Sequence, residues 1–203
     1  MMKIKNIVFD LGGTLLTEDD NWLHSSEVKN LLKVNDEKLS EAWNVAWPDG
    51  RDGKIGEYEF FRKFLMKAIG KAPSDKIEEL RKIYKDKLGK LDTFILLPRL
   101  RKKYKLIALA NILSDWLDLK IQKFNLDKYF NLIISSCGEG VAKPNKEIFL
   151  TLINKGKINP DESVFIDNME KNIGPARELG FNTILFESLV QCESEMKKLG
   201  IKL

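Results

Sequence analysis

Two acids stand where apolar runs stop. Ile7-Val8-Phe9 ends in Asp10 and is followed by Leu11-Gly12-Gly13-Thr14; Val164-Phe165-Ile166 ends in Asp167 and is followed by Asn168. A carboxylate at the carboxyl end of a buried strand sits where open α/β sheets bind ligands. Facing a metal and an electrophile, such an Asp can act as a covalent nucleophile. Lys143 has a matching context, because Pro144 keeps it out of the following helix and Asn145 is placed to cap that helix. Its ammonium can then be aimed into a site that handles an anion. Taken singly, each group also has an ordinary reading. Asp10 can cap a strand-to-loop turn, Lys143 can be a surface lysine, and Asp167-Asn168 can cap a helix. Asn111, after Leu109-Ala110, reads equally as a ligand-binding amide or as a turn residue satisfying its own loop.

Five short runs rich in Ile, Val and Phe must hold these groups: Ile4–Phe9, Leu106–Ala110, Leu132–Ser135, Val164–Ile166 and Thr183–Phe186. Nearly continuous apolar strands imply a sheet covered on both faces. Helical periods over Asp115–Phe124, Lys146–Ile153, Asn172–Leu179 and Ser188–Leu199 alternate with them, and Gly180 follows Leu179 as a helix C-cap. The alternation predicts an α/β fold with a doubly wound parallel sheet. Residues 16–90 break the pattern, with helical periods only and turns expected at Pro48-Asp49-Gly50 and Asp52-Gly53. That stretch is too long for a crossover, so it reads as an inserted α-helical cap (16–90) on a core built from 1–15 and 91–203.

With these motifs in order, the chain resembles the haloacid dehalogenase-like (HAD) hydrolase superfamily, in the branch whose helical cap follows the first motif. The likeness covers nearly the whole chain, though the cap matches only in kind. It implies a Rossmann-like core in which Asp10 is the nucleophile and a Mg²⁺ ligand. Asp167 becomes the second metal acid, with Asn168 and the Gly12 carbonyl as neutral oxygen ligands. Lys143 becomes the charge-neutralising catalytic residue, and Gly13, Ala110 and Asn111 fall at the phosphate-binding positions. Three positions depart from the family pattern. Gly12 replaces the usual second acid, Ala110 the usual hydroxyl residue, and Asn168 a frequent acid. Acid catalysis is typically worth about 10²–10⁴-fold, and one preorganised donor about 10²–10³-fold.

The resemblance implies a Mg²⁺-dependent phosphatase of a small phosphomonoester, working through an aspartyl-phosphate on Asp10. With Gly12 unable to act as acid, a good leaving group suffers least, and Glu18, Asp19 and Asp20 are substitute acids or simply a polar linker. A catalytically impaired binding or regulatory protein is the alternative, favoured by Gly12, Ala110 and Asn168. A haloacid dehalogenase has less support. In the cap, Trp22, Trp43, Trp47, Arg51, Tyr58 and Arg62 could face the cleft; Trp43 and Trp47 share a helical face and read as core. Trp116 could lie near the entrance, and His24 reads as an exposed polar residue.

The composition excludes other classes. At 203 residues, 43% hydrophobic and 32% charged, the chain can bury one core plus a smaller module. A net charge of +4 with scattered Lys and Arg gives no nucleic-acid footprint. Two cysteines make no disulfide framework, and one histidine supports neither a His-rich zinc site nor a Ser-His-Asp triad. The opening residues carry no signal-peptide pattern, and no apolar run approaches the roughly 20 residues that span a bilayer. The expectation is a cytoplasmic monomer or homodimer acting on a soluble phosphorylated small molecule, without nucleic-acid or membrane partners.

Overall fold

The computed structural model describes residues 3–203, so Met1 and Met2 of the expected core lie outside the described residues. Five strands form one parallel sheet: β1 (Asn6–Phe9), β2 (Lys105–Ala110), β3 (Leu132–Ser135), β4 (Ser163–Asp167) and β5 (Asn182–Leu185), in the order β3-β2-β1-β4-β5. The α/β class with an all-parallel sheet is as the sequence implied. Alternate residues feed opposite faces. Ile7, Phe9, Leu106 and Ile166 enter one core, whereas Val8, Ile107, Leu109 and Phe165 enter another. Helices α8 (Lys146–Gly156) and α9 (Glu170–Glu178) cover the second face through Phe149, Leu152 and Ile173. On the first face lie α5 (Leu97–Leu100), α6 (Ser114–Phe124) and α10 (Leu189–Lys198). A four-residue helix, α7 (Ser136–Glu139), follows β3.

Between β1 and β2 run four helices, α1 (Ser26–Leu32), α2 (Asp36–Arg51), α3 (Glu57–Ile69) and α4 (Ser74–Lys87). The chain enters and leaves this segment side by side. Thr17 N–H donates to Gly89 O at 3.0 Å, and Leu91 N–H donates to Leu15 O at 2.9 Å. Phe60, Phe61 and Phe64 of α3 pack edge-on with Trp22 and Trp43, in an aromatic cluster that Trp116 of α6 joins and that is continuous with the core on the sheet's first face.

One expected turn is absent. Pro48, Asp49 and Gly50 lie inside α2, which continues to Arg51 before the chain turns at Asp52-Gly53. Proline costs a helix one hydrogen bond, but the Trp43–Trp47 stack (centroids 4.8 Å apart) carries the helix through it. Gly50 serves close approach: a Cβ there would sit 2.9 Å from Leu113 Cγ. The remaining signals act as expected. Asn145 caps α8 by accepting from Glu147 N–H at 3.0 Å, and Gly180 (φ +90°) ends α9 while Phe181 N–H returns to Ala176 O.

Candidate functional site

Register brings the two acids together. Phe9 of the central strand pairs with Ala108 on one side and with Ile166 on the other, so Asp10, Asn111 and Asp167 emerge at one edge of the sheet. Lys143 reaches this edge from the loop before α8. Its ammonium lies 2.6 Å from Asp10 Oδ1 and 2.7 Å from Asp167 Oδ2, and it donates to Leu109 O at 2.8 Å. All three side chains are buried. Burial pulls the Lys143 pKa down, but the two carboxylates outweigh it and hold the ammonium above its ordinary value. Burial pushes Asp10 up to about 7, opposed by Lys143 and reinforced by Asp167. Two acids thus share one cation, and the site is short of positive charge.

Asn111 does not point its amide at a ligand. It accepts from Lys143 N–H and donates to Lys143 O, both at 2.9 Å, and so fastens the Lys143 loop to the end of β2. Ala110 leaves the gap that the sequence implied, and Gly13 has no free N–H to offer. Ala110 is buried at the end of β2 with its side chain in the core, so it offers a ligand no side-chain donor. Gly13 spends its only N–H on Leu16 O at 2.8 Å. Its glycine identity answers a steric need instead: φ is +73°, and a Cβ would lie 2.2 Å from Asn168 Nδ2 and 2.7 Å from Glu18 Oε1. Among the described residues, the backbone N–H groups of Gly12 and Asn111 have no hydrogen-bond acceptor.

The fit to a divalent cation can be judged from the donors. Asp10, Gly12 and Asn168 line one cleft and bring hard oxygen donors, and the fully buried Asp167 carboxylate lies behind them, joined to Asp10 through Lys143. Among the described residues no three acidic or thiol/imidazole ligands converge, but Mg²⁺ retains waters and takes as few as one or two carboxylates. Asp167 is already well engaged, accepting from Met169 N–H at 2.8 Å and from Asn172 at 2.9 and 3.0 Å. Beside it, the buried Asn172 Oδ1 has no donor, as an acceptor reserved for a metal-bound water would. With the charge deficit at Asp10, the residues fit Mg²⁺.

The site opens into a cleft of about 270 Å³ lined by Glu18, Asp19 and Asp20 and, from α2, by Trp43, Trp47 and Arg51. Burial and nearby Asp20 raise the pKa of Glu18, which accepts from Asn168 at 2.8 Å. Other expected cleft residues lie elsewhere. Trp116 is fully buried and donates to Glu57 Oε1 at 3.0 Å; Trp22 is core; exposed Arg62 pairs with Glu59; and Tyr58 is exposed, while His24 is exposed as the sequence implied. Asn172 and Lys120 went unmarked in the sequence. Asn172 lies just over one helical turn past Asp167, and Lys120 stands between Trp116 and Phe124 on an otherwise apolar face of α6.

A family model for haloacid dehalogenase-like hydrolases matches residues 4–180. The D-ribitol-5-phosphate phosphatase of Bacteroides thetaiotaomicron is 28% identical over 95% of this chain and 97% of its own. The bifunctional epoxide hydrolase 2 of Sus scrofa is 27% identical across the whole chain, which spans only 40% of that protein. A HAD family enzyme of B. thetaiotaomicron, solved with magnesium and inorganic phosphate, superposes with a TM-score of 0.74 at 28% identity, covering 91% of this chain and 95% of that one.

Proposed function

The chain belongs to the haloacid dehalogenase-like hydrolases, and on that premise we propose that it is a Mg²⁺-dependent phosphatase of small phosphomonoesters. The observation that carries this reading is the Asp10–Lys143–Asp167 triad at the sheet edge, short of one cation, with Asp10 and Lys143 lining a cleft. Residues 16–90 act as the cap and 1–15 with 91–203 as the catalytic core.

Asp10 attacks phosphorus as the bond to the ester oxygen breaks, the departing oxygen takes its proton from solvent, and water then hydrolyses the aspartyl-phosphate. Lys143 neutralises the charge that builds between carboxylate and phosphoryl oxygens. The open N–H groups of Gly12 and Asn111 donate to those oxygens. Asp10, Asp167, the Gly12 carbonyl and Asn168 hold Mg²⁺, which supplies electrostatic stabilisation of the transferring phosphoryl group. Asn172 and Met169 N–H orient Asp167, and Asn111 orients Lys143.

The test is release of phosphate from an aryl phosphate and from a panel of sugar and polyol phosphates, with Mg²⁺ or with chelator. Turnover that needs Mg²⁺ and is abolished by Asp10→Asn is expected. Full activity in Asp10→Asn sinks the nucleophile assignment, and silence across the panel favours a binding protein instead.

A further inference from the structure

Lys120 is a second buried lysine, and the chemistry above makes no use of it. Its side chain is 0% exposed, within the core side of α6. Burying an ammonium is costly unless it is paired. Among the described residues its one ion pair is with Asp19 Oδ1 at 2.6 Å, and the ammonium makes no directed hydrogen bond, so the contact is a charge pair. The same Asp19 oxygen accepts from Tyr84 Oη of α4 at 3.0 Å. Burial, then Asp19, push the Tyr84 pKa well up, so its hydroxyl keeps the proton it donates. Asp19 Oδ1 is therefore clamped from two elements, while Oδ2 has no partner among the described residues and Asp19 lines the cleft with Asp10 and Lys143.

The direction of Oδ2 matters. A Cβ added at Gly12 would meet Asp19 Oδ2 at 3.8 Å as its nearest neighbour. Asp19 thus borders the space into which a side chain two residues after Asp10 would project, the place where this chain has none.

We propose that Asp19, positioned by Lys120 and Tyr84, is the catalytic group that receives the proton of the water hydrolysing phospho-Asp10. The role rests on the phosphatase reading. The water oxygen bonds to phosphorus, the bond from phosphorus to the Asp10 oxygen breaks, and its electron pair returns to the Asp10 carboxylate. The water's proton passes to Asp19 Oδ2 and from there to the departing phosphate or to solvent. With Oδ1 held by Tyr84 and Lys120, it is Oδ2 that faces the cleft side and can accept. Proton acceptance of this kind is typically worth about 10²–10⁴-fold.

The experiment is rapid-mixing kinetics with 4-nitrophenyl phosphate and Mg²⁺, whose good leaving group frees the first step from any need for an acid. Asp19→Asn is expected to keep a stoichiometric burst of nitrophenol, to slow the following steady state by about 10²-fold or more, and to accumulate phospho-Asp10 seen by intact mass. Asp19→Asn/Lys120→Met removes both buried charges together, and it answers the same question if the single variant does not fold. Lys120→Met alone, which frees the carboxylate from its clamp, is expected to slow only the second phase and by less. Burst and steady state slowed equally in Asp19→Asn, or neither slowed, overturn this role alone. A wild type without Asp10-dependent turnover overturns the phosphatase reading and this role with it.

Discussion

At Gly12 the missing side chain has a local cause to be tested and a measurable consequence. The position has no positive φ, and an added Cβ meets nothing closer than 3.8 Å, so an aspartate can be built there without moving the backbone. Its carboxyl would arrive beside Asp19 and near Glu18. Neighbouring like charges raise a carboxyl's pKa, which is the property of a general acid near neutral pH. Gly12→Asp is therefore expected to raise kcat on alkyl phosphates by about 10-fold or more, with little change on 4-nitrophenyl phosphate, whose leaving group needs no proton. Steady-state assays on the two ester types check this. A flat or reduced alkyl rate means that Gly12 is not simply a missing acid. Asp10 and Asp167 were legible in the sequence because a strand end announces itself by an apolar run that stops. Lys143 was legible because Pro144 and Asn145 fix its loop. Asn111 was not, since either of its readings needs the same residue type, and only the distance to the Lys143 backbone separates them.

Elements were legible where periodicity had no competitor. All five strands fall within two residues of their sequence-based bounds, because two buried faces demand uninterrupted Val, Ile, Leu and Phe. Helix α2 was not, since Pro48 and Gly50 are turn signals by local preference and only the packing of Trp43, Trp47 and Leu113 overrides them. Contacts between elements were out of reach for the same reason. Glu57, at the start of α3, is buried and takes the Trp116 indole N–H of α6 at 3.0 Å and the Arg81 guanidinium of α4 at 2.6 Å. Its own N–H donates to Asp115 at 3.0 Å. One carboxylate therefore joins the inserted helices to the helix after β2. Glu57→Ala strands the buried indole N–H, a loss of about 2 kcal/mol, whereas Arg81 keeps Glu78 and reaches water. For a chain of this length about 2–4 °C follows each kcal/mol, so thermal denaturation is expected to show Tm lower by about 4–8 °C. Glu57→Gln keeps an acceptor for the indole and is expected to lose less. Equal Tm values for all three proteins remove Glu57 from the interface.

For the whole molecule, the buried charge deficit makes stability depend on pH and on metal together. Asp10 has an ordinary pKa of 3.8 and is pushed up to about 7 in the fold, with burial as the leading cause. Between those values the folded chain holds a proton that the unfolded chain has released. Unfolding then binds fewer protons in that window, and the slope of stability against pH is negative. The contribution of Asp10 is complete below pH 3.8 and is lost as pH rises through about 7. In chelator, the wild type is accordingly expected to lose Tm between pH 5 and 8 more steeply than Asp10→Asn, in which the position no longer titrates. At the proposed site, Mg²⁺ held by Asp10 and Asp167 would reverse the sign of the local imbalance. At about 100-fold excess over its Kd it adds roughly 2.7 kcal/mol to stability, or about 5–10 °C in Tm at neutral pH. That gain should shrink toward pH 5, where protons compete for Asp10, and should be small in Asp10→Asn and Asp167→Asn at any pH. Denaturation curves over this pH range with Mg²⁺ and with chelator read both effects. A Mg²⁺ shift of the same size in the wild type and both variants would place the cation elsewhere on the molecule.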